Sequence, residues 1–575
     1  MKLASLFLLL GACKPPQPAV ELASMPPSPP ATDDAIYFVL VDRFADGDAT
    51  NNDGVNREDP QGWHGGDIQG IINQLDHIQS MGFKTVWLSP VFESRDEAFM
   101  EWGAYHGYWV ESLDRIDERF GSGATLRALG DALHKRGMRL TLDVVYNHTA
   151  MDSELSRSHP DWFHEAAPIE NWEDPDELVS NQVHGLPDLD QDNPEVREYL
   201  IASTKRWIRE AGVDELRVDA VRHIDPGFFR TLRAELQAEL SQDMPTIGEI
   251  FEGSPHRLLS TWGAAEFPAA FDFPLYYALI DSVCKGQPAG RIASTLAHNR
   301  WEDAPGEWVT FLDNHDLPRV ASVCGQEKVP LLLEMLMTTR GRPMISYGTE
   351  SGLEGVDEPA NRGDMDFSNT PYANTIRDLL ALRSSSAPLH QGDSQVIGLS
   401  ERGYVVLRTT PTSGVALVGV NLGDEALVLE LPSWLPQDEW RPLLGEPSFS
   451  GGKLTLPASS VGVLERSESV VLDLPATQRL RFTGPADGSP TPALLAGAGE
   501  PLGNWDPSKA HAMGSELELP VYAVLAYKLV FDCLSEVPKW ESGGNRYLLV
   551  KPDPEPTTVE VDFRSPPDQE SHGSP

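Results

Sequence analysis

Short apolar runs with strand character alternate with segments of helical spacing from about residue 33 to 389. Eight of these runs read as strands: 35–41, 85–89, 139–145, 215–218, 246–250, 269–273, 308–312 and 343–347. Between them, Ile68, Ile71, Ile72, Leu75 and Ile78 fall on one helical face, as do Leu126, Leu129 and Leu133. Eight strand–helix alternations over this length predict an α/β fold, a (β/α)8 barrel. The stretch after the third strand, about 149–187, is long and irregular and reads as a small inserted domain. From about 390 to 467 short alternating strands take over, predicting an all-β sandwich. A second all-β segment runs from about 468 to 563, and residues 564–575, rich in Pro, Ser and Glu, read as a disordered tail.

The N-terminus bears on where the chain works. Met1-Lys2 precedes an apolar run from Leu3 to Leu10, too short to span a membrane and suited to a signal peptide. Leu10-Gly11-Ala12-Cys13 resembles the bacterial lipobox, which implies cleavage before Cys13 and lipid attachment to its thiol. Residues 14–32, rich in Pro, Ala and Ser, suit a semi-extended tether. The expected location is the bacterial cell envelope, on the outer surface or in the periplasm, with plain secretion as the alternative. Membrane contact is expected only through the lipid at Cys13. An oxidising compartment permits disulfides, and of the remaining Cys284, Cys324 and Cys533 the first two could pair. The 45 basic and 87 acidic residues give a net charge of -42, which argues against nucleic acid or an anionic membrane surface as partner and suits solubility. A monomer is expected.

In a parallel barrel the reactive groups gather where strands end. Asp143 follows Leu140-Thr141-Leu142, Asp219 follows Leu216-Arg217-Val218, Glu249 follows Thr246-Ile247-Gly248, and Asp316 lies just past Phe311-Leu312. A lone acid at a strand end is usually a helix cap or loop anchor, but here four from four strands converge on one rim. Asp143-Val144-Val145-Tyr146-Asn147-His148 and Arg217-Val218-Asp219-Ala220-Val221-Arg222-His223 resemble the first two signatures of glycoside hydrolase family 13, the α-amylase family. Gly248-Glu249 and Phe311-Leu312-Asp313-Asn314-His315-Asp316 resemble the third and fourth, and Gly185-Leu186-Pro187-Asp188-Leu189-Asp190 resembles the auxiliary motif closing the inserted domain. The resemblance spans residues 35 to about 465.

It implies a retaining glycosidase. Asp219 would be the nucleophile, Glu249 the acid and then the base, and Asp316 the carboxylate that binds sugar hydroxyls and favours the distorted transition state. Such chemistry needs two carboxyls roughly 5 Å apart, one ionised and one protonated, and a third anion helps keep the proton on the acid. Arg217, two residues from Asp219 on the same strand face, would orient the nucleophile. His148, His315, Arg222 and His223 would contact substrate, Tyr108 would stack on the ring at the cleaved bond, and Arg362 would hold a sugar further along. Glu358 stands where the family usually has Asp. Trp87 and Trp109 read as core.

The resemblance also implies calcium, one or two ions. Asp46-Gly47-Asp48-Ala49-Thr50-Asn51-Asn52 is dense in oxygen donors, which calcium prefers, and is similar to the first calcium loop of cyclodextrin glycosyltransferases, completed here by Gly65-Gly66-Asp67. The ligands would come from Asp46, Asp48, Asn51, Asn52, Gly65 and Asp67. A second site would use Asn147, Asp188 and the carbonyl of His223.

Near the C-terminus, Leu502-Gly503-Asn504-Trp505-Asp506-Pro507, Tyr527-Lys528 and Lys539-Trp540 through Asn545-Arg546 resemble the starch-binding module of carbohydrate-binding module family 20. Trp505 and Trp540 would form a stacking platform for sugar faces, with Lys528 and Asn545 binding hydroxyls.

These features imply α-1,4-glucan hydrolysis on starch, glycogen or maltooligosaccharides. Cyclodextrin glycosyltransferase or maltogenic amylase activity is the alternative, and an inactive starch-binding lipoprotein a remote one. Two features favour hydrolysis. Residues 390–467 leave no room for the extra immunoglobulin-like domain of the transferases, and His184 stands where they place a Tyr or Phe.

Overall fold

All eight apolar runs form strands of one closed parallel barrel: β1 (Ile36–Val39), β2 (Thr85–Leu88), β3 (Arg139–Val144), β4 (Glu215–Val218), β5 (Thr246–Gly248), β6 (Ala269–Phe271), β7 (Glu307–Thr310) and β8 (Arg342–Ser346). They follow the ring in chain order, and β1 closes it by pairing with both β2 and β8. The structure is a computed structural model that describes residues 35–561 except 97, 100–101, 166, 241–242, 471–474, 484–493, 532–538 and 554. The expected signal segment with Cys13, the expected tether, Cys533 and the expected tail lie outside the described residues.

The strands read as apolar because both faces are covered, the inner by other strands and the outer by helices. Phe38, Trp87, Leu142, Val218, Ile247, Val309 and Ile345 are all buried. The helical face predicted from Ile68 to Ile78 is divided at Gln74 into two helices, Ile68–Asn73 and Leu75–Ser80. The first is capped by Asp67, which accepts a hydrogen bond from the Gly70 N–H at 2.6 Å. Ile68, Ile71, Leu75 and Ile78 stay buried across the break, and Ile72 turns partly outward. Leu126, Leu129 and Leu133 are buried on the helix Gly123–Lys135.

After β3 the chain leaves the barrel through 149–187, which carries short helical turns at Glu154–Ser158, Pro160–Trp162 and Pro175–Ser180. It returns at Asp188, which makes a β-bridge to His148 just beyond β3. A disulfide joins Cys284 to Cys324. It ties the helical segment Ile280–Cys284 to the helix Val320–Cys324, a few residues past Asp316.

Beyond the barrel lies an antiparallel sheet of Asp393–Ser400, Gly403–Thr409, Val415–Asn421, Ser460–Arg466 and Arg441–Leu444, with a three-stranded sheet of Leu427–Glu430, Lys453–Leu456 and Ser448–Ser450. Two further sheets follow. One holds Glu516–Pro520, Thr477–Thr483 and Thr557–Glu560, and the other is built around Val524–Phe531. This last unit is packed onto the rest of the molecule. Val521, Tyr522, Val524 and Leu549 belong to the same buried cluster as the barrel side chains. The Tyr547 ring lies on Gly290, where an added side-chain carbon would stand 2.4 Å from Cγ. Trp301 of the barrel meets Gly499 in the same way, at 2.9 Å. Trp434 Nε1 donates to the Tyr522 hydroxyl at 2.8 Å.

Candidate active site

The strand ends carry the acids to one rim through backbone pairing that continues past the strands. Asp219 N donates to Val144 O at 3.1 Å, and Glu249 N donates to Val218 O at 2.9 Å. Ala220, at φ 51°, then turns in the left-handed region and leaves Asp219 at the strand tip. Its amide is spent on the acid, because Ala220 N donates to Glu249 Oε2 at 2.9 Å.

One guanidinium organises three carboxyls. Arg217 Nη1 lies 2.8 Å from Asp219 Oδ1 and 3.0 Å from Asp143 Oδ1, and Nη2 lies 3.2 Å from Glu249 Oε2. The planar fork of arginine allows this where a lysine point charge would not. Asp143 receives two more donors, Trp87 Nε1 at 3.0 Å and the Tyr108 hydroxyl at 2.9 Å. Asp316 is placed from the other side. Its N–H donates to Asn314 Oδ1 at 2.9 Å, and its carboxylate faces Arg362 Nη2 at 3.3 Å and His315 Nε2 at 3.2 Å. Arg362 also donates through Nε to His315 O at 2.8 Å and pairs with Glu358.

This arrangement separates the protonation states of the acids. Burial pushes the Glu249 carboxyl up to about 8, Arg217 opposes the rise, and the charges of Asp219 and Asp316 add to it. A carboxyl in that range keeps its proton at neutral pH and can donate it. Burial lowers His148 and holds His315 well below the usual imidazole range, so both rings are neutral. The Tyr108 ring stacks on His315 with centroids 4.9 Å apart and planes 3° apart.

The acids lie in a cleft of about 600 Å³ lined by Tyr108, His148, His184, Asp219, Arg222, His223, Glu249, His315, Asp316 and Arg362. The structure thus gathers the three predicted carboxylates and the predicted contact residues, with Arg217 beneath them. Arg222 Nη2 also donates to Trp172 O at 2.8 Å, and His223 Nδ1 lies 3.1 Å from Leu178 O, so both hold the inserted segment against the rim. Trp87 is buried as expected, though its Nε1 serves Asp143. Trp109 departs from its expected place in the core: it is half-buried and lines the cleft. Trp102, Trp172 and Phe251 line it as well and were not singled out from sequence. They sit in irregular loops, where no periodicity separates a cleft aromatic from a core one.

Among the described residues no cluster of three His, Cys, Asp or Glu is poised as a metal site. The donor sets here are instead rich in amides. Asn51 Oδ1 and Asn52 Oδ1 are buried without a hydrogen-bond partner. They lie beside Asp46, which accepts from Asn52 Nδ2 at 2.8 Å, and Asp67, which accepts from Asp48 N at 2.8 Å. An added side-chain carbon at Gly65 would stand 2.7 Å from Asn52 Oδ1, so its backbone is close to that oxygen. Asp48 itself accepts from Thr50. Asn147 Oδ1 and Asp188 Oδ1 are likewise buried and unpartnered. Orphaned buried oxygens are costly unless something meets them, and a hard cation fits both sets.

In the C-terminal unit, Trp505 and Trp540 come together with ring centroids 6.3 Å apart at 49°. Both remain partly exposed. Lys528 is partly exposed, two residues along its strand from Val530, which pairs with Trp540. Asn545 hydrogen-bonds Tyr547, the residue seated on Gly290.

Comparison with known proteins supplies an independent line. The family described as alpha amylase, catalytic domain, matches residues 38–380. A beta/alpha-amylase of Paenibacillus polymyxa is 31% identical over 475 residues, 78% of this chain, and the chain spans 38% of that relative's length. A cyclomaltodextrin glucanotransferase of Klebsiella oxytoca is 27% identical over 607 residues, 89% of this chain and 91% of that protein. A solved structure of a cyclomaltodextrin glucanotransferase with a three-domain ABC distribution is similar at a TM-score of 0.68 and 27% identity, over 76% of this chain and 99% of that one.

Proposed function

The chain belongs to the α-amylase family of retaining glycoside hydrolases, and from that premise we propose that it hydrolyses α-1,4-glucosidic bonds of starch and related α-glucans. Asp219 attacks the anomeric carbon and forms a glycosyl ester as Glu249 gives its proton to the leaving oxygen. Glu249 then takes a proton from water, which attacks the ester carbon and releases Asp219. Arg217 holds Asp219 aimed, and Asp316 with Arg362 binds the hydroxyls of the distorted ring. The observation that carries this reading is the shared guanidinium: Asp219 at 2.8 Å and a protonated Glu249 at 3.2 Å on one Arg217. Glu249→Gln should abolish starch turnover while starch binding persists. Starch-degrading activity that survived the change would overturn the role of Glu249.

A second reading, transfer of the glycosyl unit to a sugar, has specific support in the glucanotransferase relative that matches nearly end to end. The absent immunoglobulin-like domain carries no weight against it, since a three-domain glucanotransferase is also similar to this chain. His184 does carry weight. It lines the cleft at φ 52° and presents an imidazole to the substrate in place of a larger ring. Resolving early products from starch decides the matter, and cyclodextrins as the main early product would overturn hydrolysis.

Three further parts complete the proposal. Trp505, Trp540, Lys528 and Asn545 form one starch-binding site of the family 20 type. Asp46, Asn51, Asn52, Asp67 and Gly65, with Asp48 at the rim, hold one calcium ion, and Asn147, Asp188 and the His223 carbonyl a second. Each ion supplies charge and oxygen coordination as a structural brace. Lipid at Cys13 anchors the enzyme to the cell envelope, and the mass of the mature N-terminus checks this.

A further inference from the structure

Five large apolar side chains are exposed among the described residues, and three of them, Trp102, Trp172 and Phe251, line the one catalytic cleft. Phe251 lies two residues beyond the acid Glu249, and the Trp172 carbonyl accepts from Arg222. Trp102 belongs to the segment that reaches Arg362. Its neighbour Gly103 donates to Gln61 Oε1 at 3.3 Å, and two residues on, Tyr105 packs under Arg43 at 3.8 Å and interacts with Arg362 and Glu358. Arg362 is the group that holds Asp316, on the glycone side.

Trp102 is 40% exposed, yet its backbone is fixed. Phe99 N donates to Trp102 O at 2.9 Å and Trp102 N to Phe99 O at 3.0 Å. The Phe99 ring meets Trp109 edge-on at 5.9 Å. Gly103 is pressed against Gln61, where an added side-chain carbon would stand 1.8 Å from the carbonyl oxygen. An indole left in water on an anchored backbone, facing the cleft, is a preformed surface for the apolar face of a sugar ring.

We propose that Trp102 is a substrate-binding residue at the glycone end, stacking on a glucose beyond those served by Tyr108 and Arg362, and that it sets the length of product released from that end. The proposal rests on the α-glucan reading above. The test uses the full chain on reducing-end-labelled maltooligosaccharides of three to seven units, with Trp102→Ala and Trp102→Phe. In Trp102→Ala the ratio of kcat/KM for the seven-unit over the three-unit substrate should fall about threefold to tenfold, mainly through KM. Cleavage should shift toward bonds that leave a shorter glycone, and Trp102→Phe should restore most of both. An unchanged cleavage pattern, or an equal loss on every length, would overturn the proposal. Failure of the unmodified enzyme to cleave any of the series would instead overturn the α-glucan reading.

Discussion

The proton on Glu249 should set the alkaline limit of the enzyme. Its carboxyl is pushed up to about 8 from an ordinary 4.5, first by burial and then by Asp219 and Asp316. At pH 7 roughly nine in ten molecules therefore carry the proton, whereas an ordinary glutamate would be more than 99% ionised. Because kcat/KM reports groups of the free enzyme, its alkaline limb should bend near pH 8 and then fall about tenfold per pH unit. The assay is kcat/KM on a soluble maltooligosaccharide from pH 4 to 10, repeated with an α-maltosyl fluoride. Fluoride departs without a proton, so the limb should vanish on that substrate. A limb near 5 would refute the effect of burial, and a limb of equal height on both substrates would refute the assignment to Glu249. Stability should move with the same proton. The folded state binds it more tightly than the unfolded chain, so between about 4.5 and 8 Glu249 makes stability fall as pH rises. Thermal melts of Glu249→Gln should show a flatter dependence over that window.

Replacing Trp505 and Trp540 together with Ala should weaken granular-starch binding roughly tenfold to a hundredfold and spare short soluble substrates. Equal loss on both would count against a separate binding site, and a sedimentation assay reads it. A calcium chelator should lower the melting temperature and raise KM by loosening the rim at Asp188 and Asn147, with calcium but not magnesium restoring both. Unchanged melts would remove the brace. Trapping the glycosyl ester on Asp219 with a slow fluorinated substrate should lower the Glu249 pKa, read by carboxyl NMR. A value that stayed near 8 would contradict the coupling to Asp219.

The fold and the gathering of the acids on one rim were legible in the sequence for one physical reason. A strand buried on both faces must be a short apolar run, and in a parallel barrel the residue ending that run stands on the rim. Asp219 and Glu249 each end such a run, so sequence alone places them together. The cleft wall obeys no such rule. Trp102 and Trp172 lie in irregular segments without a period, and Trp109, in a motif of aromatics, reads as core until the cleft beside it is seen. Arg217 was legible as a partner of Asp219 by its two-residue offset, but its contacts to Asp143 and Glu249 come from β3 and β5. Such cross-strand contacts have no signature in one chain. Domain count is a different case: a missing immunoglobulin-like domain constrains architecture and leaves the acceptor open.

The site contains more carboxyls than its cations can hold ionised. Asp143, Asp219 and Glu249 share Arg217, and Asp316 leans on Arg362, which also pairs with Glu358. In a buried site an unmatched charge costs more than a retained proton, so one acid must stay neutral. Burial also raises Asp143, to about 7, but Glu249 is pushed higher, to about 8, because the charges of Asp219 and Asp316 both add to the effect of its burial. Formation of the ester on Asp219 removes one of those charges. The same burial that kept the proton on is then opposed by Arg217 with less competition, and Glu249 can ionise and act as base. On the proposed mechanism, the change of role from acid to base thus needs no movement of the protein. It follows from the loss of one negative charge beside a fixed guanidinium, and it makes Arg217, which touches no reacting bond, the residue on which both halves of the reaction depend.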